Sequence, residues 1–277
     1  MWRLPAGVAR LNVVSVSQGN SPIILGQPHG GTFVPDDIFK RLNARGQGLD
    51  DTDWHINRLY DGLLEHSTVV QSHIHRYVID PNRDPGGVSL YPGKNTTTLV
   101  PTTNFDGEDI WREGQEPTSE EIQVRKEAFH RPYHDALGAE IDRVVAKHGV
   151  AILFDCHSIR SEIPFLFQGQ LPAFSIGTNN GETCDPTIES AVTTICANAA
   201  RFNHVVNGRF KGGWTTRHYG QPKKGVHAIQ MELAQRTYMT ETTPWMFDQS
   251  SADRLREHLG EILHSLETLA LSGALTE

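Results

Sequence analysis

The sequence predicts an α/β fold, a three-layer sandwich in which helices cover a mixed, mostly parallel central sheet. Short apolar runs rich in β-branched residues alternate along the chain with amphipathic helical patterns, which is typical of α/β proteins. Apolar residues make up 38% of the 277 residues, enough to form a buried core. No internal repeat, low-complexity tract or charge run divides the chain. We therefore expect residues 1–277 to form a single α/β domain.

Eight apolar runs have the length and composition of buried strands. Strands covered on both faces read as continuous apolar runs and not as an alternation of apolar and polar residues. The predicted strands are residues 22–25, 68–71, 76–79, 150–154, 165–167, 174–176, 204–206 and 226–233.

Four segments carry helical spacing, and one long segment has neither pattern. A capping box at Thr118 and an Asp-Pro pair at Asp185 mark two of the helix starts. Pro132 should kink or interrupt the helix in which it lies. The predicted helices are residues 53–66, 118–149, 185–199 and 251–271. Residues 80–117 are predicted to form a long loop at the rim of the functional site, because loops of this length are usually functional.

Charge and composition exclude several classes of function. The formal net charge is −8, and a negative protein repels nucleic-acid phosphates. No stretch approaches the roughly 20 apolar residues of a membrane span. The three cysteines form no CxxC pair, and the first residues lack the apolar stretch of a secretory signal. We therefore expect a cytoplasmic protein with neither nucleic acid nor a membrane as its partner, and the oligomeric state stays open.

Polar residues follow, or lie within, four of the predicted strands. His29, Arg83 and His157 come shortly after three of them, and Glu232 lies inside a fourth. Ligands of open α/β sheets bind beyond the carboxyl ends of the strands. A single histidine there is most often a hydrogen-bonded or surface residue, but two histidines after two separate strands favour a shared site.

Two histidines and one carboxylate would make a metal site with an open fourth position, which is typical of catalytic zinc. His29 and His157 supply the imidazoles. Asp53 is our choice for the carboxylate and Asp51 the alternative, because both lie at a predicted helix start downstream of His29. An aspartate at a helix start is also commonly only an N-cap. Asp155 could orient one of the imidazoles or merely cap a loop.

Glu232 is surrounded by apolar residues in its strand. A buried carboxylate without a partner is costly, so its partner is either an arginine or the reacting water. Burial would raise its pKa and a nearby cation would lower it, which tunes it for proton transfer. We interpret Glu232 as the catalytic base.

Three arginines on predicted loops are candidates for binding an anionic substrate. Arg83 and Arg160 follow strands, and Arg217 lies in a glycine-rich loop before the strand of Glu232. A guanidinium binds a carboxylate through two parallel hydrogen bonds. We assign Asn82, next to Arg83, to the same substrate-binding set. We assign Arg160 a catalytic role as well, as a cation close to the reacting atoms. Several arginines at one rim of an acidic protein predict a small anionic substrate.

These segments together resemble the N-formylglutamate amidohydrolase family. The resemblance covers roughly residues 20–245, with the segments in the expected order. The family is related in fold to the zinc carboxypeptidases and aspartoacylases. The resemblance therefore implies a carboxypeptidase-like α/β fold. The segments that carry it are Pro28-His29-Gly30-Gly31, Asp51-Thr52-Asp53, Asp80-Pro81-Asn82-Arg83, Asp155-Cys156-His157-Ser158, residues 213–220, Gln230-Met231-Glu232-Leu233 and Tyr238-Met239.

The resemblance implies hydrolysis of a small N-acyl amino acid, N-formyl-L-glutamate, to formate and L-glutamate, a step of histidine degradation. It implies one Zn²⁺ ion, or another divalent metal in its place, bound by His29 and His157, with Glu232 as the base. Thr32 stands where the carboxypeptidase pattern has an acidic ligand, so the third ligand must come from elsewhere.

Other functions fit parts of the same pattern. A related zinc amidohydrolase could act on another N-acyl amino acid, since pocket size decides the acyl group. A zinc carboxypeptidase is a second alternative, which the long polar segment 80–117 disfavours because it would narrow the mouth of the site. A protein that binds or stores metal through its 14 histidines is a third, but these histidines are scattered and not clustered.

Overall fold

The computed structural model describes residues 12–275, so the first residues, in which no secretory signal is predicted, lie outside the described part. Residues 12–275 form seven β-strands. They are β1 (Val14–Ser17), β2 (Ile23–Gln27), β3 (Thr68–Ser72), β4 (Ala151–Ile159), β5 (Phe174–Gly177), β6 (His204–Val206) and β7 (Val226–Ala234).

All seven strands belong to one sheet, in the order β1-β3-β2-β4-β7-β5-β6. The four central strands β3, β2, β4 and β7 are parallel to one another. Strand β1 runs antiparallel to β3 at one edge, and β5 runs antiparallel to β7, with β6 parallel to β5 at the other edge. The predicted mixed, mostly parallel sheet is therefore confirmed.

Eight α-helices accompany the sheet in the described residues. They are α1 (Asp36–Phe39), α2 (Ala44–Gln47), α3 (Ile56–Tyr60), α4 (Ser119–Arg125), α5 (Arg131–His148), α6 (Pro186–Asn198), α7 (Trp214–Tyr219) and α8 (Gln249–Leu271). None of the helices in residues 12–275 is long and apolar enough to cross a membrane.

Helices cover both faces of the central strands. On β4, Ile152 and Phe154 pack into the core shared with α3, α6 and α8, whereas Ala151 and Leu153 face α5. Successive strand residues point to opposite faces, so both faces of β4 are apolar and all nine of its residues are buried. This arrangement is the predicted three-layer sandwich, and it explains why the central strands read as continuous apolar runs.

The long helical segment is interrupted where Pro132 predicts it. Thr118 caps α4 by accepting a hydrogen bond from the Glu121 backbone N–H. A π-helical turn, Lys126–His130, then joins α4 to α5, with Pro132 in the first turn of α5. Proline has no N–H to donate to the preceding turn, and a wider turn there accommodates it. Gly149, at φ +75°, ends α5 in the left-handed conformation that glycine adopts at low cost.

Several local predictions are wrong. Residues 76–79 and 165–167 form turns and not strands. Tyr77, Val78 and Ile79 are buried all the same, because they pack with α1 and segment 99–111 in a second apolar cluster. The helix predicted at 53–66 is only the five-residue α3, and the short strand β1 and helices α1, α2 and α7 were not predicted. The long segment 80–117 contains no helix or named strand, as predicted.

The half-buried His134 of α5 leads to a prediction about acid stability. His134 lies 2.8 Å from the Pro81 carbonyl through Nε2, and burial, reinforced by the charge of His130, lowers its pKa from 6.5 to about 3. Below pH 6.5 the unfolded chain therefore binds a proton that the folded chain excludes. Above pH 6.5 His134 should therefore not reduce the free energy of unfolding. As the pH falls from 6.5 toward 3, its exclusion of the proton should lower the free energy of unfolding by up to about 1.4 kcal/mol per pH unit.

Denaturant unfolding of the wild type and of His134→Gln between pH 7 and pH 4 checks this. The variant should lose stability less steeply on acidification, and His264→Gln, on the exposed side of α8, should keep the wild-type slope. Identical slopes for wild type and His134→Gln would contradict the assignment.

Candidate metal centre and active site

Three adjacent parallel strands carry the central residues of the site. His29 lies two residues beyond the end of β2. Strand β4 continues to Ile159, so His157 lies inside this strand and does not follow it as predicted. The register of the β4–β7 pair sets His157 directly beside Glu232. Sheet hydrogen bonding thus places a predicted metal ligand next to the predicted base.

Two imidazoles and one carboxylate meet at a single buried point. The Nδ1 atoms of His29 and His157 are 3.1 Å apart. Asp53 Oδ2 lies 3.3 Å from His157 Nδ1 and 3.8 Å from His29 Nδ1. Within residues 12–275 this is the one set of three such side chains with a geometry that could hold a metal ion.

The donor set fits a tetrahedral divalent ion. Bonds of about 2.0–2.1 Å to zinc place neighbouring tetrahedral ligands roughly 3.3–3.4 Å apart, close to the separations of these three atoms. The far nitrogen of each imidazole also has a carboxylate partner: His29 Nε2 lies 2.7 Å from Asp80, and His157 Nε2 lies 3.0 Å from Asp155. A proton on Nε2 leaves the Nδ1 lone pair free for a metal, the usual arrangement around a metal-binding histidine.

The two imidazoles differ in protonation. Burial lowers the pKa of His29 to about 4, assisted by the positive charge of Arg76, so His29 is neutral near pH 7. Burial also acts to lower the pKa of His157, but the charge and hydrogen bond of Asp155 outweigh it and hold that pKa well above 6.5. An ion bound here must therefore displace a proton from the His157 ring, which makes metal binding depend on pH.

Arg76 holds Asp53 in place. Its guanidinium donates to Asp53 Oδ1 at 2.6 Å, and the Ser158 backbone N–H donates to Asp53 Oδ2 at 3.0 Å. Burial acts to raise the pKa of Asp53, but Arg76 and the imidazoles hold it below its usual value. Sequence reasoning did not single out Arg76, although an arginine in an apolar, buried run implies a carboxylate partner.

The alternative third ligand, Asp51, lies elsewhere. Its Oδ2 accepts a hydrogen bond from the Phe105 backbone at 2.9 Å, and its Oδ1 lies 3.9 Å from Arg160. Burial raises the pKa of Asp51 to about 7. The structure therefore brings Asp53, and not Asp51, to the two histidines.

A cavity of about 570 Å³, including space open to solvent at its mouth, lies over these residues. Five predicted site residues line it: His29, Asn82, Arg83, His157 and Glu232. The residues that complete the lining are Arg76, Tyr91, Thr96, Thr97, Phe105, Ser158, Ile159, Leu166, Arg209, Phe210, Gly213 and Gln230.

Glu232 is suited to exchange a proton near neutral pH. It lies almost fully buried at the cavity wall and accepts a hydrogen bond from Gln230 Nε2 at 3.0 Å. Burial raises its pKa to about 7, and His157 and Arg76 limit that rise. The amide of Gln230 is itself fixed by the Gly213 backbone N–H at 2.7 Å.

Asn82 and Arg83 enter the cavity from the start of segment 80–117. Asn82 Oδ1 accepts from the Thr215 backbone N–H at 2.9 Å, and its Nδ2 lies 3.1 Å from His157 Nε2. A β-carbon at Gly213 would lie 2.3 Å from Asn82 Nδ2, so only glycine leaves room for this amide. Arg83 donates to the backbone and side-chain oxygens of Thr97.

Two of the predicted arginines do not reach the cavity lining, and a second unpredicted arginine, besides Arg76, does. Arg160 pairs with Asp106 at 2.7 Å. Arg217 donates to the Gly212 carbonyl at 2.9 Å, and its guanidinium lies 5.2 Å from the centre of the Tyr91 ring. Arg209 lines the cavity. A loop arginine carries no sequence signal of its own, and only the neighbouring glycine-rich stretch could have drawn attention to it.

Comparison with known proteins gives consistent matches. The profile of the N-formylglutamate amidohydrolase family matches residues 21–239. The N-formylglutamate deformylase of Pseudomonas putida is 44% identical over 255 residues, covering 92% of this chain and 95% of the relative. The N-formylglutamate deformylase of Pseudomonas aeruginosa is also 44% identical, covering 92% and 96%.

Two solved structures share the fold. An N-formylglutamate amidohydrolase from Ralstonia eutropha JMP134 superposes with a TM-score of 0.78 at 22% identity, covering 95% of this chain and 100% of that one. The gene product Atu2144 from Agrobacterium tumefaciens has a TM-score of 0.72 at 19% identity, covering 94% and 97%.

The choice between the two aspartates can be tested by metal binding. Asp53→Asn should weaken Zn²⁺ binding more than about 100-fold, since even the partners of metal ligands commonly contribute 10–100-fold. Asp51→Asn is the matched control, because it removes an equally buried carboxylate that does not face the histidines. Equilibrium dialysis with Zn²⁺, on variants whose circular dichroism matches the wild type, measures both. Equal losses in the two variants would remove Asp53 from the ligand set.

Proposed function

Because this chain belongs to the N-formylglutamate amidohydrolase family, we propose that it hydrolyses N-formyl-L-glutamate to formate and L-glutamate with one zinc ion. His29, Asp53 and His157 would hold the ion. The observation that carries the proposal is the convergence of these three side chains beside Glu232, at the wall of a cavity lined by Arg76, Arg83 and Arg209. The 44% identity to two N-formylglutamate deformylases supports the choice of substrate.

The metal would supply Lewis acidity, polarising the formyl oxygen and making the attacking water more acidic. Zinc is the choice because two imidazoles and one carboxylate form the donor set typical of catalytic zinc, with a position left for substrate. Asp80 and Asp155 would orient the two imidazoles through their Nε2 atoms.

Glu232 would move the proton. With a pKa of about 7, it takes a proton from the attacking water as that water adds to the formyl carbon. It then returns the proton to the amine of glutamate as the C–N bond breaks. Atoms balance: N-formylglutamate and one water give formate and glutamate. Gln230 keeps the carboxylate of Glu232 pointed at the cavity while the proton moves.

Arg76 would stabilise the negative charge that develops on the formyl oxygen. We assign it this role in place of Arg160, because Arg76 lines the cavity and Arg160 pairs with Asp106 outside the lining. The guanidinium of Arg76 is fixed between Asp53 and Asp80, so it needs no rearrangement during the reaction. Asn82 and Arg83 would bind the α-carboxylate of the substrate.

The activity itself is tested by formate release. The purified protein supplied with Zn²⁺ should release formate from N-formyl-L-glutamate, and a chelator should abolish the release until Zn²⁺ is restored. N-acetyl-L-glutamate is the matched comparison for the acyl group, and we expect the formyl compound to be strongly preferred. Hydrolysis of the acetyl compound at an equal rate would favour the related deacylase, and activity that resists exhaustive chelation would contradict the role of the metal.

The base is tested by Glu232→Gln. Removing the proton acceptor should lower kcat by about 10²–10⁴-fold, the usual contribution of general acid–base catalysis. The zinc content should stay at one ion per chain, because the donor set of His29, Asp53 and His157 is untouched. Glu120→Gln, on the exposed side of α4, is the control and should behave as wild type. Near-normal turnover by Glu232→Gln would show that another group moves the proton.

A further inference from the structure

Arg209 faces the cavity without an acidic partner. Its Nε donates to the Leu166 carbonyl at 2.9 Å, and its Nη2 donates to the Asn95 carbonyl at 2.7 Å. In the described part of the chain its guanidinium forms no ion pair. Arg76 and Arg83, the other arginines of the cavity lining, lie within 4 Å of Asp53 or Asp80. Arg209 thus brings to the cavity a positive charge that no carboxylate of residues 12–275 neutralises by direct contact.

The surroundings of Arg209 fix its guanidinium but leave three of its N–H groups without a hydrogen-bond acceptor among the described residues. Its Cζ lies 5.3 Å from the ring centres of both Tyr91 and Phe210, which hold the cation by cation–π attraction. A guanidinium has five N–H groups, and the two carbonyls take one from Nε and one from Nη2. Both N–H groups of Nη1 and the second of Nη2 remain, and together they form an edge that can bind a carboxylate through two hydrogen bonds.

Holding this cation near a second one is costly. Burial lowers the pKa of Arg209 and the positive charge of Arg83 lowers it further, whereas Tyr91 and Glu232 act to raise it. Two arginines that share a cavity repel each other unless an anion lies between or beside them. An N-formyl amino acid with two carboxylates would remove this repulsion when it binds.

The two arginines have different neighbours. Arg83 is 3.6 Å from Asp80, whose other oxygen contacts His29, so Arg83 stands one residue away from the metal centre. The contacts of Arg209 are with Tyr91, Asn95, Leu166 and Phe210, none of which touches the three metal-binding side chains. In N-formylglutamate the α-carboxylate lies next to the amide nitrogen, and the side-chain carboxylate lies two methylene groups farther out.

We propose that Arg209 binds the side-chain carboxylate of the substrate, and that this contact selects a dicarboxylic N-formyl amino acid over neutral ones. Arg83 then serves the α-carboxylate, which all N-formyl amino acids share. The inference rests on the proposed deformylase function and adds to it the residue that sets specificity.

Two substrates of nearly identical shape separate these roles. N-formyl-L-glutamine differs from N-formyl-L-glutamate in having a neutral amide where the side-chain carboxylate stands. The wild type should prefer the glutamate compound by about 100-fold or more in kcat/KM, the effect expected when one partner of a desolvated charge pair is lost. Arg209→Gln should lose this preference through a raised KM for N-formyl-L-glutamate with little change in kcat, and should keep wild-type kcat/KM for N-formyl-L-glutamine.

Two further variants serve as comparison and control. Arg83→Gln should lower kcat/KM for both substrates, because both carry the α-carboxylate. Arg58→Gln is the matched control, since Arg58 also stacks on an aromatic ring, that of Phe247, but lies outside the cavity lining. Arg58→Gln should keep both the wild-type rates and the preference. Arg209→Lys keeps the positive charge but cannot donate two parallel hydrogen bonds to a carboxylate. It should therefore show part of the preference for N-formyl-L-glutamate that Arg209→Gln loses.

The outcomes distinguish this inference from the proposed function. A wild type that hydrolyses both compounds equally, or an Arg209→Gln variant that keeps the preference, overturns the role of Arg209 while the deformylase activity stands. If the wild type hydrolyses neither compound, the proposed function fails. Calorimetric binding of N-formyl-L-glutamate then decides about Arg209 alone: binding lost in Arg209→Gln and kept in Arg58→Gln supports the contact, and binding kept in both overturns it.

Discussion

The ion pair between Arg76 and Asp53 is the interaction on which the rest of the site depends. Both side chains are almost completely buried, so neither could keep its charge there without the other. The pair fixes one oxygen of Asp53 and leaves the second oxygen facing the two imidazoles. Arg76 also lies 3.7 Å from Asp80, which orients His29. One buried arginine thus positions both a proposed metal ligand and the carboxylate that orients another.

The sheet supplies the remaining precision. Because β4 and β7 are hydrogen-bonded neighbours, the distance between His157 and Glu232 is set by strand spacing and not by loop conformation. Polar residues inside the most buried strands are costly unless they have partners, and each has one here: Asp155 for His157, and Gln230 for Glu232. Strands β4 and β7 therefore carry His157 and the proposed base Glu232, whereas the proposed substrate-binding side chains come from loops.

The sequence was sufficient for the strand–helix alternation, because burial of both sheet faces leaves continuous apolar runs. It also pointed to His29, His157 and Glu232, since polar residues at the ends of such runs are unusual. It favoured Asp53 over Asp51 but could not give the reason for that choice, because the reason is the contact of Asp53 with Arg76, which is distant in sequence. It placed the end of β4 too early at Phe154, because the buried polar residues that follow resemble a loop. Among the loop arginines of the cavity lining, only tertiary contacts reveal that Arg83 lies near an acidic residue whereas Arg209 has no ion pair within residues 12–275.

The histidines outside the metal centre bear on the storage alternative. His130 and His134 lie on successive turns of the α4–α5 segment, and their Nε2 atoms contact the Arg83 and Pro81 carbonyls at 3.0 Å and 2.8 Å. Burial lowers the pKa of both, so they are neutral near pH 7. Nε2 of each ring donates to a backbone carbonyl, and Nδ1 of His134 also lies 3.1 Å from the Tyr219 hydroxyl. These two histidines hold the segment that delivers Asn82 and Arg83 to the cavity, and within residues 12–275 His29, Asp53 and His157 form the one set of three such side chains that could hold a metal ion.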